Sequence, residues 1–230
     1  KNYIGLTGDT PIRFIASDVD GTLVNDAKSV DPEVVSAVRA ARESGIRVAI
    51  ASGRAWHEMD DIIEAMPCLR YFVCTNGAYV MDKEEQKELV HISLDKTRAI
   101  DLVRKLMTYG VFVEAYVKAE IFGQYPTVGN ETLQADHFFR PNIRPFILKT
   151  RTMVPNLLAH LESLPEGPEK IQIFYGDERI RERILDDLRD EFQGAATDGK
   201  GRERFYDVLE SSEGNLEFVL PHTTKGTAVE

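Results

Sequence analysis

The chain has 230 residues, 43% of them hydrophobic and 29% charged, with a formal net charge of −10. That is an ordinary globular composition, with enough chain for one large domain or two small ones. The acidic balance speaks against nucleic acid as a partner, because such binding rests on Lys and Arg at phosphates; a small phosphorylated molecule needs only local positive charge.

No apolar run reaches membrane-spanning length and no signal peptide is visible, so no membrane association is expected and a cytoplasmic location is the default. Cys68 and Cys74 flank one short predicted strand, too far apart along it to bridge. Buried or half-buried free thiols are expected, as in a reducing compartment.

Lys1 to Pro11 carries no clear pattern and reads as a flexible lead-in. Ile12 to Ser17 is a short apolar run closed by Asp18-Val19-Asp20-Gly21-Thr22. Such a run predicts a buried strand opening into a loop. Asp31 and Pro32 then suit the N-cap and first position of a helix with an apolar stripe at Val34, Val35, Val38 and Ala41, stopped by Gly45. Ile46 to Ala51 is a second strand ending at Ser52-Gly53-Arg54, followed by a helix from about Ala55 to Met66 and a third strand, Tyr71 to Cys74. This βαβαβ order implies parallel strands with right-handed crossovers.

Near Gly77 the pattern changes. Ala78 to Met81 and Lys87 to Ile92 read as a hairpin, and Asp95 to Tyr109 as an amphipathic helix stopped by Gly110. Val111 to Val117 and Glu120 to Gln124 read as paired strands. Beyond a mixed stretch, Val154 to Ser163 and Asp177 to Phe192 are helical; Lys170 to Tyr175, Glu203 to Glu210 and Leu216 to Leu220 are strands. The simplest account is an α/β core made of residues 1–81 and 207–230, interrupted by an α+β module over 82–206.

Side chains two apart on a strand point the same way, so Asp18 and Asp20 both face the cleft at a strand's carboxyl end, where open α/β sheets bind ligands. Asp-Gly is also a common turn signal. Two crowded carboxylates make sense if a cation neutralises them, or if one carries a proton while the other attacks. Asp18 is the candidate nucleophile, forming an aspartyl-phosphate, and Asp20 the candidate general acid and base. An anion attacking a phosphate dianion needs positive charge and a metal, and Mg²⁺ is the natural choice for carboxylate, phosphate and water oxygens. Gly21 lets the backbone turn toward the phosphate; Thr22 orients Asp20 or caps the turn. The Ser52 hydroxyl and the amides that follow it, Gly53 first, are candidate phosphate donors, with Arg54 as a supporting residue of the same motif, although Ser52 also suits a helix N-cap. Lys225 opens a predicted helix where the core resumes and supplies the cation. Asn76 follows the third strand and is a candidate substrate contact or a turn residue. The five histidines have no metal-ligand spacing, Trp56 reads as packing, and Glu58-Met59-Asp60-Asp61 reads as a solvated helix face.

Taken together these residues resemble the haloacid dehalogenase superfamily of phosphatases. Asp18-Val19-Asp20-Gly21-Thr22 matches its first motif, Ala51-Ser52-Gly53-Arg54 is similar to its second, and Thr224-Lys225-Gly226 to its third. Asn76-Gly77-Ala78 is similar to the NGA loop of the Cof-type, class IIB branch. The resemblance implies a Rossmann-like parallel-sheet core with an inserted α+β cap, and Mg²⁺ held by the Asp18 carboxylate and the Asp20 main-chain carbonyl. It also implies Ser52 and Lys225 on the phosphate of a small phosphorylated metabolite, with sugar phosphates the commonest class. The second aspartate, Asp20, points to a phosphatase or a phosphomutase rather than a dehalogenase. No GDxxND-like fourth motif occurs in these residues, so the expectation is a chain truncated before it. That gap is the support for one alternative, a non-catalytic binding protein of the same fold.

Overall fold

The computed structural model describes residues 11–25, 29–192 and 204–230. The lead-in expected over Lys1 to Pro11 falls almost wholly outside them. Five strands form one sheet in chain order: β1 (Phe14–Ser17), β2 (Arg47–Ala51), β3 (Tyr71–Cys74), β4 (Tyr79–Asp82) and β5 (Lys87–His91). The first three run parallel; β4 and β5 fold back antiparallel.

Helix α1 (Pro32–Glu43) bridges β1 and β2, with Pro32 at its first position and Gly45 at φ +82° just past its end. Asp31 occupies the N-cap position, but its carboxylate accepts from Asn25 Nδ2 at 2.8 Å instead of capping the helix. The single helix expected from Ala55 to Met66 is split into a 3₁₀ turn, Trp56–Met59, and α2 (Asp60–Ala65). The cause is Glu58, whose Oε2 turns back to accept from Ala55 N at 2.8 Å.

The described residues from 92 to 220 build a second unit. It contains α3 (Lys96–Met107), β6 (Phe112–Val117), β7 (Glu120–Gln124), the short pair β8 (Thr127–Val128) and β9 (Glu131–Thr132), α4 (Ala135–Phe138), α5 (Arg144–Thr150), β10 (Thr152–Met153), α6 (Leu157–Ser163), β11 (Lys170–Phe174), α7 (Glu178–Phe192), β12 (Asp207–Leu209) and β13 (Asn215–Val219). Six of its strands form a sheet in the order β10-β7-β6-β11-β13-β12.

Strand alternation gives this sheet two faces. Val113, Ala115, Val117, Ile171, Ile173, Leu216 and Phe218 form one face, a core with α3, α6 and α7 residues such as Val103, Leu161, Ile184 and Leu188. Glu114, Tyr116, Lys170, Gln172 and Glu217 lie on the other, set side by side by the pairings Lys170↔Tyr116, Gln172↔Glu114 and Gln172↔Glu217. That polar face is buried too, because it meets loops of the first sheet.

Three expectations need correction. The core does not resume at 207: β12 and β13 pair into the second sheet, because β13 takes β11 as its antiparallel partner. The hairpin strand β5 belongs to the first sheet, so the break after Met81 comes too early. Strand β1 is not buried: among the described residues its only partner is β2, and Ile12, Phe14 and Ile15 stand 48%, 40% and 37% exposed. Cys68 is half-buried and Cys74 buried, both unbridged, and among the described residues no helix is long and apolar enough to cross a membrane.

Candidate active site

The site gathers where β1, β2 and β3 end. Parallel pairing sets Ser17 opposite Ile50 and Ala51 opposite Val73, so Asp18, Ser52 and Thr75 leave neighbouring strand ends on one edge. After β1 the chain turns tightly: the amides of Thr22, Leu23 and Val24 all donate to Val19 O. Gly21 permits this at φ +73°, a conformation that burdens any residue with a Cβ. Thr22 thus contributes its backbone amide to the turn.

Asp18 Oδ1 accepts from Val19 N at 2.8 Å and from Lys225 Nζ at 2.9 Å. Lys225 reaches it from a hydrogen-bonded turn, in which Ala228 N donates to Thr224 O at 3.1 Å. Its start is a reciprocal cap, with Thr227 N donating to Thr224 Oγ1 at 3.1 Å and Thr224 N to Thr227 Oγ1 at 2.9 Å. The turn docks on the NGA loop. Gly77, at φ +104°, lies so close beneath it that a Cβ there would meet Thr224 O at 2.4 Å. Ala228 and Val229 pack against Ala51, Val73 and Val80.

Asp20 is clasped by Arg54. Nε donates to Oδ2 at 3.0 Å and Nη2 to Oδ1 at 2.8 Å, the bidentate geometry peculiar to a guanidinium. Burial works against the Arg54 charge, but the hydrogen bond and proximity to Asp20 outweigh it and leave its pKa raised. Arg54 was expected only as part of a motif, and its grip on Asp20 was not read from the sequence. Ser52 is buried, with its Oγ accepting from Arg54 N at 3.2 Å and its amide and carbonyl tied to Val73 O and Asn76 N. The hydroxyl therefore braces the loop that also presents Gly53.

Asn76 sits at φ +57°, ψ +21° with its side-chain oxygen against Gly53, where a Cβ would lie 2.8 Å from it. Its Nδ2 donates to Glu217 Oε2 on the second sheet at 3.1 Å. Its amide thus serves the junction between the units. Glu217 also accepts from Ser211 Oγ at 2.7 Å and from Lys170 Nζ at 3.2 Å; Lys170 donates in turn to Gly53 O at 3.2 Å. Burial raises the Glu217 pKa, but Lys170, Ser211 and Asn76 together bring it below the ordinary carboxylate value.

A second buried cluster lies beside this one. Arg151, at the end of α5, pairs with Glu58 and donates from Nε to Glu114 Oε2 at 3.0 Å. Glu58, read from sequence as part of a solvated run, is thus buried, because a guanidinium 93 positions away neutralises it. Beside it opens a cavity of about 310 Å³ between the two units, lined by His57, Asp61, Glu120, Phe146, Lys149 and Thr152 among others.

Among the described residues no group of three or more His, Cys, Asp or Glu side chains converges as a metal centre. The oxygens at the loop are those of Asp18 and Asp20. Such hard donors fit Mg²⁺, which takes one or two carboxylates and keeps water and phosphate oxygens for the rest of its shell.

The chain matches the model of a family described as haloacid dehalogenase-like hydrolase over residues 15–230. It is 31% identical over 125 residues to Phosphatase YwpJ of Bacillus subtilis, an alignment covering 54% of this chain and 43% of that protein. The chain therefore spans less than half the length of that curated relative. Among solved structures, a haloacid dehalogenase-like hydrolase from Bacteroides thetaiotaomicron superposes with a TM-score of 0.73 at 19% identity, covering 95% of this chain and 75% of that one. The subclass IIB sugar phosphatase BT4131 superposes at 0.66 and 12% identity, covering 94% and 73%. At these identities the likeness is one of fold.

Proposed function

The chain belongs to the haloacid dehalogenase-like hydrolases, and on that premise we propose that it is a Mg²⁺-dependent phosphomonoester hydrolase working through an aspartyl-phosphate. The observation that carries the reading is the pairing of Lys225 with Asp18 at 2.9 Å, beside Asp20 and at the strand edge that also presents Ser52 and Gly53. A lone carboxylate would repel a phosphate; one tied to an ammonium can meet it.

With Oδ1 held by Val19 N and Lys225, Oδ2 of Asp18 is the oxygen turned to phosphorus. Its attack forms the O–P bond of the aspartyl-phosphate while the ester P–O bond breaks. Asp20, once released from the Arg54 fork and protonated from solvent, gives that proton to the departing alkoxide and then takes one from the water that attacks the aspartyl-phosphate. Lys225 and the donors at Ser52 and Gly53 hold the phosphate oxygens. Asn76 keeps the Gly53 loop in place from the side. The Asp18 carboxylate and the Asp20 carbonyl would hold Mg²⁺, which supplies charge neutralisation for the phosphoryl group.

The proposed substrate class is a sugar phosphate, as in the neighbour BT4131. The cavity lining of His57, Asp61, Glu120, Lys149 and Thr152 suits a leaving group rich in hydroxyls. The second unit is the cap that closes over the core and excludes water. The test is a phosphomonoester panel assayed with Mg²⁺ on the full-length protein. Turnover on at least one sugar phosphate, abolished in Asp18→Asn, is expected; no turnover above that control refutes the proposal.

A further inference from the structure

The loop after β2 carries three carbonyls, and each is held by a different donor. Ser52 O accepts from Asn76 N at 3.1 Å, Arg54 O from Thr75 N at 2.9 Å, and Gly53 O from Lys170 Nζ at 3.2 Å. The first two donors belong to the same unit, in the loop after β3. The third reaches across from β11 of the second unit. Lys170 is 2% exposed, and its ammonium is fixed by Glu217 Oε1 at 3.2 Å and by the Tyr116 ring, whose centre lies 4.0 Å away. A buried charge needs such partners, so the second sheet sets the place of the ammonium against Gly53 O.

The direction of a carbonyl decides that of the next amide, because a trans peptide points its C=O and N–H opposite ways. With Gly53 O drawn to Lys170, the Arg54 N–H turns the other way and donates to Ser52 Oγ at 3.2 Å. A serine hydroxyl has one proton to give and two lone pairs to accept with. Accepting from Arg54 N fixes the Ser52 oxygen by a lone pair and leaves its proton for another acceptor. We infer that Lys170 is a positioning residue for phosphate binding. It holds Gly53 O, which aims the Arg54 amide at Ser52 Oγ, which keeps the hydroxyl proton for a phosphate oxygen. The second unit thereby helps to build the phosphate site as well as to cover it. This rests on the proposed role of Ser52 as a phosphate donor.

The probe is orthovanadate, which mimics the phosphoryl group and carries no leaving group, so the cavity beside Arg151 takes no part. Its dissociation constant is measured by calorimetry on the full-length protein with Mg²⁺, which needs no turnover. Ser52→Ala is expected to weaken binding roughly ten- to hundredfold, the worth of a hydrogen bond to a charged group. Lys170→Met should weaken it roughly two- to tenfold, the worth of an ordinary one. The companion variant Lys170→Met/Glu217→Gln removes both buried charges, and its amide keeps an oxygen for Asn76 Nδ2 while offering a donor to Ser211 Oγ. It should show the same loss as Lys170→Met without the cost of a stranded carboxylate. Combined with Ser52→Ala, neither change should weaken binding further, because Lys170 acts through the hydroxyl that is then absent. A general loss of packing or of closure would instead multiply with that of Ser52→Ala. Such a multiplied loss, or wild-type binding in the Lys170 variants, overturns the role of Lys170. Unchanged binding in Ser52→Ala, or no binding to the wild type, overturns instead the reading of the site on which it rests.

Discussion

Replacing Gly77 by alanine tests how the site is assembled. Two penalties add. The backbone at φ +104° is foreign to residues with a β-carbon, at roughly 1–2 kcal/mol. The new carbon would also lie 2.4 Å from Thr224 O and 2.8 Å from Thr224 C. Both are backbone atoms that cannot rotate away, and forced overpacking of this kind costs roughly 1–3 kcal/mol. The total is roughly 2–5 kcal/mol, or a Tm lowered by about 4–20 °C for a chain of this size. Gly45→Ala is the control, since Gly45 has φ +82° and nothing within 4 Å of its missing Cβ. It suffers the strain without the clash. Thermal and urea unfolding of both variants separate the two contributions, and Gly77→Ala should be the less stable by at least about 1 kcal/mol. Because Thr224 is bonded directly to Lys225, Gly77→Ala should also lose turnover while Gly45→Ala keeps it. Equal stability and equal turnover in the two variants would show that the NGA loop does not seat the Lys225 turn.

The buried cluster and the junction give two further predictions. Arg151→Met strands Glu58 and Glu114 without their partner and should cost roughly 3–5 kcal/mol in urea unfolding; adding Glu114→Gln should recover part of it, and a loss below about 1 kcal/mol would contradict the pairing. His91, at the end of β5, sits between Glu169 at 2.7 Å and Glu166 at 2.8 Å. The hydrogen bond to Glu169 leads, burial opposes it, and the nearby carboxylates of Glu169, Glu166 and Glu88 help to leave the His91 pKa raised. A raised folded-state pKa stabilises fully below the unfolded value of about 6.5 and is lost as pH climbs through the folded one. The Tm gap between wild type and His91→Gln should therefore be widest in acid and shrink as pH rises; a gap that widens toward alkaline pH would reverse the assignment.

Local pattern carried most of the elements, and contact across the chain carried the rest. Apolar runs ending in Asp, Ser and Asn marked the ends of β1, β2 and β3, and a strand end is a position that sequence periodicity defines well. Sheet membership is not local: the run at Leu216 reads the same whether it pairs with β1 or, as found, with β11. Burial of charge is equally invisible. Lys170 and Glu217 alternate with apolar neighbours like any solvent-facing residues, and their pairing spans 47 positions.

Asp18 and Lys225 are 207 positions apart. A ribosome adding roughly 5–20 residues per second needs roughly 10–40 s to make the second after the first. Throughout that interval the nascent aspartate lacks its ammonium, while the whole second unit is being made in between. Secondary structure should therefore return before activity in a refolding experiment, since contacts of such separation in sequence close late. The distance along the chain acts as a timer: Asp18 meets its ammonium only after the second unit has been made.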